Sequence, residues 1–270
     1  MNNLSITPGT NNVGAYINNI NLKSLDLSQV REIKNTLVKF GVIFIKKQNL
    51  DPESYQNFAK SIGQPVVYPR LKGLDEKFPF INVIERKPDD KNLSFGSSWL
   101  HQDTSYLSDD RPRYTMLMGI EIPKGQGNTI FSSGFNAYEK LPNEIKDKIK
   151  DATGIFSSAG PISVTRLERE KEMGIKSSES MKAEHSIVKT VCGKKTLYVS
   201  PGHLMKIKNV KEEDADYLKN YLIEHVNKQE FIFSYEWSKG DICLWDNLSI
   251  LHMASEIKNC KRIMHRITIK

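Results

Sequence analysis

The segment RIMHRITI, residues 262–269, constrains the fold more than any other part of the chain. Side chains on an extended strand alternate between its two faces, so Arg262, Met264, Arg266 and Thr268 share one side and Ile263, His265, Ile267 and Ile269 share the other. By itself this alternation supports a β-rich sandwich or barrel. The two arginines are then either a solvated strand edge or a pair aimed at one site. An apolar run upstream ends in His252, ten and fourteen residues ahead of the arginines, which favours the second reading.

A second short stretch, His101-Gln102-Asp103, supplies a histidine and a carboxylate. Read as a strand, it puts His101 and Asp103 on one side and Gln102 on the other. Two histidines and one carboxylate on one face of a metal, with open positions opposite, form the ligand set of non-heme Fe(II) oxygenases. A lone His-x-Asp carries little, since it arises by chance in roughly one chain in three of this length. The ordered set carries much more.

That order of His-x-Asp, a distant His and two arginines resembles the taurine dioxygenase family of Fe(II)/2-oxoglutarate-dependent dioxygenases. Further matching words are GQGNTIFSS (125–133), AYEKLP (137–142), LYVSPGHLMKI (197–207) and WDN (245–247), so the resemblance covers most of the chain. It implies a mainly β fold with flanking helices, the double-stranded β-helix (jelly roll, cupin-like). It also implies Fe(II) held by His101, Asp103 and His252, with 2-oxoglutarate and O2 as co-substrates. By the same resemblance Arg262 and Thr129 take the far C5 carboxylate of 2-oxoglutarate, a task that suits the guanidinium fork. Arg266 then meets the C1 carboxylate or the anionic head of the substrate. The reaction implied is hydroxylation of a small anion, a sulfonate, carboxylate, phosphonate or aryloxyacid, with release of succinate and CO2.

Taurine-cleaving members carry a histidine where alignment on Tyr68-Pro69 puts Pro65, an aromatic where His203 stands, and a Trp directly before the first metal histidine, where Leu100 follows Trp99 here. Substrates other than taurine are therefore expected, with Tyr68, Thr104, Tyr106, His203 and Arg266 as contacts. Desaturation or oxidative decarboxylation at the same iron is the alternative outcome. A non-catalytic small-anion binding protein on the same fold is the alternative of another class.

Composition bounds the rest. The 270 residues suit one β domain spanning 1–270, with no repeat or linker. Hydrophobic residues at 39% and charged residues at 26% fit a soluble globular protein; no run is long enough to span a bilayer, and MNNLSITPG does not read as a signal peptide. Cys192, Cys243 and Cys260 suggest neither a disulfide framework nor a zinc motif, so the expected location is the cytoplasm. The net charge of +7 is spread along the chain without a nucleic-acid motif, which leaves attraction of small anions as the simpler reading. No nucleic-acid or membrane partner is expected. Base rates allow a homodimer or homotetramer, and no residue pattern selects one.

Along the chain, residues 4–22 read as an opening hairpin. Leu27, Val30, Ile33, Leu37 and Phe40 form a helical stripe between an Asp26 or Ser28 cap and Gly41. A second helix starts at Asp51-Pro52. Residues 64–79 read as a loop, the KPDDKNLSFGSS segment as mobile, and 211–227 as the clearest helix. The charge-rich stretch 161–184 reads as a lid insertion. His225 is expected at the surface, His265 beneath the sheet, His185 in a structural role, and Asp246 and Asn247 in a turn.

Overall fold

Alternating strands dominate the computed structural model, which describes residues 4–68, 71–91, 94–108, 110–163, 167, 171 and 180–270. The strands in chain order are β1 (Ser5–Pro8), β2 (Ala15–Asn18), β3 (Val42–Ile45), β4 (Pro65–Val66), β5 (Asn82–Arg86), β6 (Tyr114–Glu121), β7 (Thr129–Ser133), β8 (Thr153–Ser157), β9 (Lys182–Ser186), β10 (Val188–Val191), β11 (Lys194–Leu197), β12 (Leu204–Lys208), β13 (Ile232–Tyr235), β14 (Ile242–Asp246), β15 (Ile250–Ala254) and β16 (Arg262–Ile269). The helices are α1 (Leu27–Phe40), α2 (Pro52–Ile62), α3 (Gly134–Glu139), α4 (Asn143–Ile149) and α5 (Ala215–Val226).

One large sheet runs in the order β1-β2-β3-β14-β6-β16-β4, with β5 also paired to β16. Opposite it lie the sheets β13-β7-β15 and β12-β8-β9, and β10 and β11 form a hairpin. This is the double-stranded β-helix. The expected hairpin at 4–22 is present as β1 and β2, paired antiparallel.

The two faces of β16 meet different surroundings. Ile267 and Ile269 pack with Tyr55, Phe58 and Ile62 of α2 on the outside of the large sheet. Met264 points inward, into a cluster with Phe131, Tyr235 and Trp245 between the sheets. The inward face carrying Met264 also carries Arg262 and Arg266, so the arginines enter the barrel and do not line an edge. The Tyr55 hydroxyl lies 3.0 Å from the carbonyls of both Met116 and His265, which ties α2 to β6 and β16.

Local chemistry explains the helix ends. Asp26 accepts from Gln29 N at 2.8 Å while the Gln29 side chain accepts from Asp26 N at 3.1 Å, a capping box, and Gly41 closes α1 at φ +76°. Asp51 caps α2 through Ser54 N at 2.8 Å. Ile33 and Leu37 are buried as expected, but Leu27 is 89% exposed, so the apolar stripe begins one turn later than the spacing suggests.

Other expectations need correction. The loop 64–79 contains β4, which pairs with the end of β16, and a bridge between Gly73 and Asn82. His101-Gln102-Asp103 is not a strand: His101 makes a single bridge to His252, and Asp103 opens a turn. Of the segment expected to be mobile, residues 92–93 lie outside the described ones; Lys87 N donates to Asp90 Oδ2 at 2.8 Å and Ser97 bridges Ala254. Most of the expected lid, residues 164–166, 168–170 and 172–179, also lies outside the described residues, while Lys182 to Glu184 belong to β9. His225 is buried on α5, where its Nε2–H donates to Ala137 O at 2.8 Å. Its spacing from Leu218, Leu222 and Val226 is helical, which a polar residue type obscures. His265 is buried on the outer side, as expected. Among the described residues no helix is long and apolar enough to cross a membrane.

Candidate active site

β15 delivers His252 into the barrel, and the chain just before the turn at Asp103 delivers His101 beside it. Paired backbone bonds lock them together, His101 N to His252 O at 3.0 Å and His252 N to His101 O at 2.8 Å, with ring centroids 4.3 Å apart. His101 Nδ1–H donates to Trp99 O at 3.0 Å, which leaves the Nε2 lone pair facing inward. Thr104, at φ +54°, turns the chain so that the Asp103 carboxylate meets both rings. Its Oδ1 is 3.9 Å from His101 Nε2 and its Oδ2 is 3.8 Å from His252 Nε2.

Each of these three residues offers one ligand atom, and the atoms lie within 4.8 Å of one another; among the described residues this is the one such group. Their protonation suits a metal. Burial pushes both histidines below the ordinary imidazole range, His252 furthest, so their nitrogens are neutral donors. Burial also opposes ionisation of Asp103, but the Arg266 guanidinium foremost, with the Thr115 hydroxyl, holds the carboxyl well below its usual range. Two neutral imidazoles and one carboxylate fit Fe(II), with the rest of the sphere open to the pocket.

Arg262, Arg266 and Thr129 line that same pocket with the three candidate ligands. Arg262 is buried, and among the described residues its Nε and Nη2 have no hydrogen-bond partner. Burial lowers its pKa to about 10, with no carboxylate among the causes to compensate. A buried guanidinium in this state is costly unless an anion joins it. Gly127 makes room for it: at φ +73°, a Cβ there would sit 2.9 Å from Arg262 Cδ and Nε. Thr129 Oγ1 accepts from Trp237 Nε1 at 2.9 Å, so its hydroxyl proton is free to face the pocket.

Arg266 lies deeper. Its Nη2 is 2.8 Å from Asp103 Oδ2, its guanidinium carbon sits 4.8 Å from the centre of the Tyr68 ring, and its Nη1 is unpartnered among the described residues. Burial works against its charge, yet Asp103 and Tyr68 raise its pKa. The Tyr68 and Tyr106 hydroxyls are 3.4 Å apart. His203 sits edge-on to Tyr106 at 5.1 Å and to His101 at 5.8 Å, with Nδ1 held by Ser105 Oγ at 2.9 Å and Ser200 Oγ at 3.1 Å. Thr104 is close by, but its hydroxyl donates back to Asp103 O at 2.8 Å. Pro65, on β4, is buried opposite Ile269, and Pro69 lies outside the described residues.

The structure thus gathers every residue expected at the iron and at the co-substrate. It adds Thr115, Trp237 and Gly127, which nothing in the sequence singled out; Asp246 and Asn247 shape the turn after β14 as expected, and the Asn247 side chain also reaches Asp103. The WDN word was the available signal for Asn247, since an Asn between an aromatic strand and a metal histidine is placed to reach back.

A jelly-roll barrel whose pocket joins a buried arginine to a His-Asp-His group defines a class, the 2-oxoglutarate-dependent iron dioxygenases. Within it the chain belongs to the taurine catabolism dioxygenase TauD, TfdA family, whose model matches residues 5–268. An alkylsulfatase of Acinetobacter baylyi is 31% identical, over 96% of this chain and 83% of its own length. An alpha-ketoglutarate-dependent sulfate ester dioxygenase of Pseudomonas putida is 27% identical, over 98% and 89%. The crystal structure of a taurine dioxygenase from Burkholderia xenovorans superposes with a TM-score of 0.80 at 24% identity, covering 98% of this chain and 90% of that one, and shares the fold. The protein is therefore an enzyme that works with Fe(II), 2-oxoglutarate and O2.

Proposed function

We propose that this enzyme hydroxylates a small sulfate ester or sulfonate at the carbon bearing the anionic head. His101, Asp103 and His252 hold the iron, and Arg262 with Thr129 holds the C5 carboxylate of 2-oxoglutarate. The observation that carries this is the buried Arg262 guanidinium with two unpartnered nitrogens, a preformed site for one carboxylate at the rim of the metal pocket. Bound iron supplies activation of O2, coupled to conversion of 2-oxoglutarate into succinate and CO2.

The protein's own residues do the positioning. Arg262 fixes the co-substrate at its far end, so the keto acid end reaches the His-Asp-His face. Arg266 takes the sulfate or sulfonate oxygens, or the C1 carboxylate, and its stacking on Tyr68 fixes the plane of the fork. Tyr68, Thr104, Tyr106 and His203 form the wall against which the substrate carbon chain lies. Leu117, Trp245 and Met264 keep water from the reacting side. For a sulfate ester, hydroxylation next to the ester oxygen gives a hemiacetal ester. This collapses to an aldehyde and sulfate as the C–O bond breaks and the new hydroxyl loses its proton. The names of the A. baylyi and P. putida relatives favour this substrate class. We read the chain as one domain acting on a small anion in the reducing cytoplasm, where its three free cysteines stay reduced.

The test is anaerobic addition of Fe(II) and 2-oxoglutarate, followed by O2 with alkyl sulfates, alkylsulfonates, phosphonates and aryloxyacetates. A weak visible charge-transfer band that is lost in Asp103→Ala, with succinate release stimulated by alkyl sulfates or sulfonates, is the expected result. Stimulation by aryloxyacetates or phosphonates alone overturns the substrate class. A fully metallated protein without the band overturns the site.

A further inference from the structure

Asp103 is held by a closed ring of hydrogen bonds that the sequence does not announce. Asn247 Oδ1 accepts from the backbone N of Asp103 at 3.2 Å and from Trp245 Nε1 at 3.0 Å. Asn247 Nδ2 lies 2.9 Å from Thr115 Oγ1, and Thr115 Oγ1 lies 2.6 Å from Asp103 Oδ2. The ring thus leaves Asp103 at its backbone and returns to its carboxylate. Thr115, Trp245 and Asn247 are all buried, so no solvent competes for these groups. Thr115 and Trp245 are cross-strand partners on β6 and β14, which fixes their spacing through the sheet register.

The chemistry gives the ring one direction. Both groups that reach Asn247 Oδ1 are donors, so that atom is the amide oxygen and its neighbour the NH2. The NH2 can only donate, so the Thr115 hydroxyl must accept from it and send its own proton to Asp103 Oδ2. Arg266 Nη2 donates to the same oxygen at 2.8 Å. Two donors therefore occupy Oδ2, while Oδ1, 3.9 Å from His101 Nε2, carries neither.

We propose that Thr115 and Asn247 are positioning residues that make Asp103 a one-oxygen ligand. With Oδ2 spoken for, the carboxylate cannot rotate to offer both oxygens, and the coordination position that a second oxygen would fill stays open for a co-substrate. This rests on the reading of Asp103 as a metal ligand.

Mn(II) binding by calorimetry and by the electron paramagnetic signal of the free ion tests both, in wild type, Asp103→Ala, Thr115→Val, Thr115→Ser and Asn247→Ala. Val keeps the shape of Thr and removes the hydroxyl; Ser keeps the hydroxyl. Loss of a residue that orients a metal ligand weakens metal binding by about 10- to 100-fold. Thr115→Val and Asn247→Ala are expected to weaken Mn(II) in that range, Thr115→Ser to stay within about 3-fold of wild type on the same scale, and Asp103→Ala to abolish binding. In the Fe(II) and 2-oxoglutarate complex of Thr115→Val the charge-transfer band shifts, a change that general loosening of the fold does not produce. Wild-type Mn(II) affinity in Thr115→Val, with none in Asp103→Ala, overturns the positioning role and leaves the ligand reading standing. Wild-type affinity in Asp103→Ala overturns the ligand reading itself. If Thr115→Val does not fold, Asn247→Ala decides: it leaves the Thr115 hydroxyl in place but undirected, and unchanged affinity there overturns the proposal.

Discussion

Arg262 shows how a functional residue can be a liability to the fold that carries it. Its guanidinium is buried, two of its nitrogens lack partners among the described residues, and burial lowers its pKa to about 10. At neutral pH it remains charged, so the folded chain carries a desolvated cation with no carboxylate paired to it among the described residues. An apolar side chain of similar length removes that cost. Arg262→Met is expected to raise the stability of the ligand-free protein by about 1–3 kcal/mol, by analogy with buried charges replaced by apolar residues. Urea unfolding measures this. The same change removes two charge-assisted bonds of roughly 1.5–3 kcal/mol each from the 2-oxoglutarate site. Affinity for 2-oxoglutarate should then fall by roughly 100-fold or more. A variant that loses stability and keeps its affinity would mean that Arg262 serves the fold and another group holds the co-substrate.

At the scale of elements, the turn between β6 and β7 decides where Arg262 can lie. Gly125 and Gly127 are both left-handed, at φ +70° and +73°, but a Cβ at Gly125 meets nothing within 4 Å, whereas one at Gly127 meets Arg262 at 2.9 Å. Each Gly→Ala change should cost about 1–2 kcal/mol of backbone strain. Only Gly127→Ala should also raise the KM for 2-oxoglutarate, on the order of 10-fold, because the guanidinium must shift from its carboxylate. Equal KM values for the two variants would detach the turn from the site. The GQGN turn itself was legible in the sequence, since Gly and Asn mark turns, but which glycine touches an arginine more than a hundred residues away was not. The faces of β16 were legible for a related reason: a period of two is written directly in Arg262, Met264 and Arg266 against Ile267 and Ile269. The His-x-Asp was misread because same-side placement follows from a strand and equally from a bridge followed by a turn. Asn247 lies in the turn the sequence indicates, but its side chain's partners, Asp103 and Thr115, are remote in sequence and leave no local signal. His225 was misread because a histidine at a core position is satisfied by one carbonyl, Ala137 O, that only the packing of α5 on α3 supplies.

Over the whole molecule, the sheets are coupled to the active-site turn through His185. This residue of β9 donates from Nε2 to Leu107 O at 2.8 Å, just beyond the turn that begins at Asp103. Burial, then the nearby cations Arg111 and Lys189, lower its pKa from 6.5 to about 4, against weaker support from the Leu107 and Ser105 carbonyls. The folded value lies below the unfolded one, so between about 6.5 and about 4 the unfolded chain binds the extra proton. Stability from this residue is fully present above the upper value and drains as pH falls toward the lower. Protonation of Nδ1 turns a neutral ring that donates only from Nε2 into a buried cation beside two others, and the tie between the β12-β8-β9 sheet and the turn weakens with it. His185→Gln keeps an N–H for the Leu107 carbonyl and removes the titration. Between pH 7 and pH 4 the wild type should therefore lose up to about 3 kcal/mol more stability than His185→Gln. Urea unfolding across that range isolates this residue from His101 and His252, which titrate alike in both proteins. Parallel curves would show that the interface between the sheet and the turn tolerates the charge and that acid unfolding starts elsewhere.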